Sequence, residues 1–175
     1  MKFQDELEHD HRAIEEVIEL LAKTVRDAND ATAFAFGAWA LDFFRKFADA
    51  CHHAKEEQAL FPLLEQRGIP KRGGPIGMML LEHAESRQLL AELDAALVAG
   101  DRPRVDAAAG AYCALLRAHI SKERGVLFPM GAHRLRAGDD DELVQRFAAI
   151  ERGAGGGELH ARLHGELARW TARLC

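Results

Sequence analysis

Two eleven-residue stretches carry the side chains best suited to chemistry in this sequence. HHAKEEQALFP runs from His52 to Pro62 and HISKERGVLFP from His119 to Pro129; they align without a gap and share six positions. A second pair aligns upstream of each, Asp10-His11 against Glu82-His83, each followed by an apolar pair. A His and a Glu four residues apart lie one turn apart on the same helix face, so both can aim at one point. Each half of the chain thus offers two histidines and a glutamate. Related by a pseudo-twofold, the halves bring His11, His52, Glu56, His83, His119 and Glu123 toward one interior, a donor set for two metal ions. With both glutamates bridging, octahedral metals would each keep roughly two positions for small exogenous ligands.

Any one of these histidines, taken singly, reads as an ordinary core or surface residue. Six ligand types in register across a gapless repeat do not. The spacing also separates this set from ferritin-like bundles, which use Glu-x-x-His with glutamates on the other two helices; here it is His-x-x-x-Glu with histidines on the others. Pro62 and Pro129 each stand ten residues after their His, which selects His52 over His53 and Glu56 over Glu57. His53 and Glu57 are expected at the surface or supporting a ligand. Lys55 and Lys122 are expected on a solvated face. Glu8, Asp10 and Glu82 are candidates to accept hydrogen bonds from the ligand imidazoles. His9, about 200° around the helix from His11, should face solvent, and His133, His160 and His164 are read as surface residues. Phe61 and Phe128 should form a dry shell, and Pro62 and Pro129, lacking the N–H donor, should kink their helices.

The elements that position these residues are helices, because apolar residues recur at spacings of three and four almost throughout. The pattern predicts helices over about 3–28, 32–67, 76–99 and 102–136, separated by Asn29-Asp30, by the Gly- and Pro-rich segment from Gly68 to Gly77, and by Gly100 with Asp101 as N-cap. Short connections favour an up-down-up-down four-helix bundle. Two further helices follow over about 139–174, the first opened by Asp139-Asp140-Asp141 and the second interrupted from it by Gly153 to Gly157. Leu159, Leu163, Leu167, Trp170 and Leu174 line one face of the last helix, which should cover the bundle or a second copy in a homodimer. The expectation is a single all-α domain over 1–175, with the bundle at about 3–136.

Composition narrows the partners. Apolar residues make up 48% and charged residues 29%, a globular balance. A net charge of −5 without a basic stripe argues against nucleic acid or an anionic membrane. The acidic, amphipathic start lacks the pattern of a secretion signal and no apolar run reaches membrane-spanning length. Cys51, Cys113 and Cys175 are odd in number and far apart, reading as reduced thiols in a cytoplasm.

With the acidic-His starts, the two H-x-x-x-E motifs followed by L-F-P, and Glu82-His83 in hand, the chain resembles the hemerythrin-like HHE cation-binding domains over about residues 5–136. The resemblance implies a bundle holding two non-haem iron ions with an oxo or hydroxo bridge, ligated by His11, His52, His83 and His119 and bridged by Glu56 and Glu123. Iron rests on the resemblance; manganese and zinc suit the same donors. Oxygen-carrying members have a further His one turn before the third-helix ligand and an Asp in the last motif. Here Met79 and Glu123 stand at those positions, closer to bacterial members involved in repair of iron centres and to an iron-sensing domain of an F-box ubiquitin ligase subunit. The expected function is binding or sensing of oxygen, nitric oxide, peroxide or iron. The alternatives are an enzyme that reduces peroxide or nitric oxide, and an iron donor for damaged iron–sulfur centres.

Overall fold

The computed structural model describes residues 1–174; Cys175, one of the three expected thiols, lies outside them. Six helices account for nearly all of it: α1 (Lys2–Asp27), α2 (30–66), α3 (Pro75–Ala99), α4 (102–134), α5 (Asp139–Gly153) and α6 (Gly156–Leu174). The ends follow local chemistry. The Asn29 side chain accepts the Thr32 N–H at 2.9 Å and opens α2, Asp101 does the same for Arg104 at 3.1 Å in α4, and Gly100 adopts φ +65°, the left-handed geometry that ends α3. The fourth helix, expected to reach about 136, stops at Arg134, and Gly138 at φ +92° precedes α5.

The bundle core divides into two apolar clusters. One gathers Ile14, Val17, Phe36, Phe44, Leu90, Val105, Tyr112 and Leu116; the other gathers Phe3, Leu7, Leu60, Leu64, Ile76, Met79, Leu127 and Phe128. The second joins the starts of α1 and α3 to the ends of α2 and α4, as alternating helix directions require. His11, His52, His83 and His119 fall between the two clusters on all four helices, so the polar centre is enclosed by hydrocarbon at both ends.

The prolines perturb α2 and α4 in a specific way. Before Pro62 and Pro129 the helices widen into π turns, Glu56–Leu60 and Glu123–Leu127, in which the Phe61 and Phe128 N–H groups donate five residues back, to the carbonyls of Glu56 and Glu123. The Gln58 carbonyl, which Pro62 cannot serve in an α pattern, accepts Arg146 Nη2 of α5 at 3.1 Å. A longer π segment, Phe44–His53, leads into the first motif.

The appendage covers the bundle. Leu163 and Leu167 are buried in the first cluster, with Leu159, Trp170 and Leu174 packed against it; burying each leucine contributes about 1.5–3 kcal/mol. Trp39 Nε1 donates to Glu166 at 2.8 Å. Leu143 and Phe147 of α5 enter the second cluster, and Asp140 accepts the first two N–H groups of α1, from Lys2 and Phe3, at 3.1 and 3.0 Å. Among the described residues no helix is long and apolar enough to cross a membrane.

Candidate metal centre

All six residues singled out by the repeat are buried, at 0–1% exposure, and they converge. His11 Nε2 lies 3.1 Å from His52 Nε2, and His83 Nε2 lies 3.2 Å from His119 Nε2. Glu123 stands between the pairs, Oε2 at 3.1 Å from His11 Nε2 and Oε1 at 3.1 Å from His119 Nε2. Glu56 Oε2 is 3.3 Å from His83 Nε2 and 3.9 Å from His52 Nε2. Three clusters of donor atoms result among the described residues: His11-His52-Glu123 and Glu56-His83-His119-Glu123, which share Glu123, and His53-His83-His119, which brings in a histidine outside the six.

Each imidazole turns its other nitrogen outward. His52 Nδ1 faces Asp10 at 3.3 Å, His119 Nδ1 faces Glu82 at 3.0 Å and His83 Nδ1 faces Glu57 at 2.7 Å. His11 Nδ1 sits 3.8 Å from Glu8, too far for a hydrogen bond. These carboxylates are held in turn by cations: Asp10 by Lys55 at 2.8 Å, Glu82 by Lys122, Glu57 by Arg87 at 2.7 Å, and Glu8 by Arg124 at 2.7 Å. Such partners fix ring orientation and tautomer, leaving Nε2 free to face the interior. Phe61 stacks on His83 with centroids 5.7 Å apart and Phe128 on His11 at 5.8 Å, the shell expected of them.

The electrostatics of the cluster are dominated by burial and by the contacts among its own charges. Burial, reinforced by repulsion from Glu123, pushes the Glu56 carboxyl well above its usual range. Burial also opposes ionisation of Glu123, but the imidazoles of His119 and His11 outweigh it and hold its carboxyl low. Burial drives His52 down to about 4 despite Asp10. At His119 burial is overcome by Glu123 and Glu82, which raise it to about 9. Most telling, all four carboxylate oxygens of Glu56 and Glu123 are buried without a hydrogen-bond donor. The raised His119 meets Glu123 at 3.1 Å, while burial disfavours ionisation of Glu56; a buried carboxylate costs several kcal/mol until a cation faces it, so the residues present fit metal binding.

One expectation needs correction, and for His53 the surface alternative falls. Lys55 is not on a solvated face: its side chain is 1% exposed and inserted between Asp10 and Glu151. A buried ammonium is tolerable there because two carboxylates meet it. His53 is buried as well, its ring stacked 3.8 Å from that of His83 and its Nδ1 3.4 Å from Asp49 Oδ1. Glu57, Asp10 and Glu82 do face the imidazoles of His83, His52 and His119. His9, His133 and His164 are exposed, whereas His160 is partly buried against Cys51, its Nε2 3.6 Å from Sγ. Cys51 and Cys113 are free, buried thiols, and burial pushes Cys51 up to about 11.

Sequence reasoning passed over Arg87, Arg124, Glu15 and Glu151. The repeat carries a signal for three of them: Glu57 aligns with Arg124, and Glu15 with Arg87, so charge is exchanged between halves at paired positions. Arg87 meets Glu57, and Arg124 meets Glu15 at 2.5 Å.

Comparison with curated proteins and with solved structures gives no match. A family model, that of the hemerythrin HHE cation-binding domain, matches residues 2–131, a span that includes all six converging residues and stops before α5. A match over most of the chain, on a helical bundle with this cluster at its centre, makes the chain a member of the hemerythrin HHE cation-binding domain family.

Proposed function

We propose that the chain binds two iron ions between its helical hairpins and uses the centre to bind or sense a small inorganic ligand, dioxygen, nitric oxide or peroxide, in the cytoplasm. The observation that carries this reading is the set of four buried carboxylate oxygens, without donors, facing four histidine Nε2 atoms. His11 and His52 would hold one ion and His83 and His119 the other, with Glu56 and Glu123 bridging. Iron in such a site supplies a change of oxidation state and coordination positions that a small molecule can fill. The residues do the rest. Asp10, Glu82 and Glu57 orient the rings and strengthen them as donors, the Phe61 and Phe128 rings keep water from their faces, and the two apolar clusters exclude bulk solvent from above and below. Met79, buried at the start of α3, adds no nitrogen donor to the set.

The test is iron content and near-ultraviolet absorption of protein loaded with iron, before and after reduction, then on exposure to oxygen, nitric oxide and peroxide. About two irons per chain, with absorption that bleaches on reduction and responds stoichiometrically to one of the ligands, is the expected result. Catalytic consumption of peroxide or nitric oxide would shift the reading to an enzyme. Retention of iron after all six residues are replaced by Ala would overturn it.

A further inference from the structure

A continuous polar chain leads from His52 into the C-terminal appendage. Asp10 Oδ2 faces His52 Nδ1 at 3.3 Å and accepts Lys55 Nζ at 2.8 Å on the same oxygen. Lys55 Nζ then reaches Glu151 Oε2 on α5 at 3.4 Å, and Glu151 Oε1 lies 3.4 Å from His160 Nδ1 on α6. Glu151 and His160 lie beyond the span that the family model matches, residues 2–131. The repeat partner of Lys55 shows what is special here. Lys122 pairs with Glu82 within its own half and its side chain is 40% exposed, against 1% for Lys55.

Burial changes what these charges do. Water screens Lys122, whereas the Lys55 ammonium acts on Asp10 through a dry, low-dielectric environment. Glu151 takes up part of that positive charge. Without it, Lys55 would draw harder on Asp10 Oδ2, and the oxygen would become a weaker acceptor for His52, whose Nε2 would become a weaker metal donor. This chain of hydrogen bonds and ion pairs therefore connects the metal-facing nitrogen of His52 to the seating of α5.

Resting on the two-metal reading above, we propose that Lys55 and Glu151 are positioning residues for the metal held by His11 and His52, and that through them occupancy of that position and docking of α5 are linked. Linkage is reciprocal: if the Glu151 contact strengthens metal binding, the metal strengthens the docking of α5 by the same factor.

The test uses the full chain loaded anaerobically with ferrous iron, with release followed to a ferrous chelator. The wild type is expected to release iron in two phases. Glu151→Gln, nearly isosteric and on a partly exposed side chain, should accelerate one phase about tenfold and leave the other unchanged, while Glu151→Asp restores much of the retention. Glu158→Gln, an equal charge change at an exposed position of α6, should alter neither. Hydrogen exchange supplies the reciprocal readout: iron should slow exchange of amides in residues 139–153 in the wild type and do so less in Glu151→Gln. Unchanged release in Glu151→Gln, or equal acceleration of both phases, overturns this inference alone. A wild-type chain that retains no iron overturns it together with the two-metal reading.

Discussion

The two helical hairpins, α1–α2 and α3–α4, present the same donor atoms but differ in nearly everything around them. His52 and His119 occupy equivalent positions, yet burial lowers the first to about 4 and the carboxylates beside the second raise it to about 9. Asp10 serves His52 and Lys55 through one oxygen, while Glu82 divides its two between His119 and Lys122. Glu57–Arg87 in one half is answered by Arg124–Glu15 in the other, with charge reversed. The comparison teaches that a duplicated motif conserves what must reach the centre, while the surroundings are free to make its two sides unlike. The α5–α6 appendage adds to the inequality by meeting Lys55.

The largest effect should come from the groups common to both halves. Replacing Glu123, whose two oxygens face different histidine pairs, by Ala should abolish binding of both ions, as metal analysis would show. Glu56→Leu should likewise prevent loading, yet stabilise the metal-free fold by about 1–3 kcal/mol, because a buried carboxyl without a donor is removed. Denaturant titration of metal-free protein gives the sign; destabilisation would contradict the reading of Glu56 as an unsatisfied group.

The next contrast sets the lysines against each other. Lys55→Met leaves Asp10 buried beside His52 without its ammonium and should cost about 3 kcal/mol. Lys122→Met, at a half-exposed pair, should cost less than about 1 kcal/mol. Equal losses in denaturant unfolding would erase the distinction.

Acid and alkali should act on opposite halves of the metal-free protein. Raised to about 9, His119 contributes stability that is complete below the ordinary 6.5 and lost as pH rises through about 9. The contribution of His52, lowered to about 4, is present above 6.5 and lost as pH falls through about 4. Nuclear magnetic resonance titration of the two rings checks both directions. The smallest effect belongs to the partly exposed pair Arg124–Glu15: Glu15→Gln should change stability by less than about 1 kcal/mol and leave metal content unaltered.

Helix limits were legible because their signals are local: Asn29 and Asp101 cap, Gly100 turns, and apolar periodicity runs between them. The convergence of six side chains was legible for a different reason, since each half of the repeat cross-checks the other. What lay hidden depends on distant partners. Lys55 looks solvated until Asp10, 45 residues earlier, and Glu151 on another helix are brought to it. His53 has no counterpart in the second half, where Ile120 stands, so the repeat says nothing of its stacking on His83. The last helix shows an apolar face in sequence, but only packing reveals that Leu163 and Leu167 enter this chain's own core. The prolines announced an irregularity; its form, a π turn starting at each glutamate, shows only in the structure, where Arg146 meets the carbonyl that Pro62 leaves in α2.

The most direct test of the account is anomalous diffraction from crystals of the iron-loaded chain. Two iron peaks are predicted, one beside His11 and His52 and one beside His83 and His119, with Glu56 and Glu123 between them. A single ion, or iron bound away from these six residues, would contradict it.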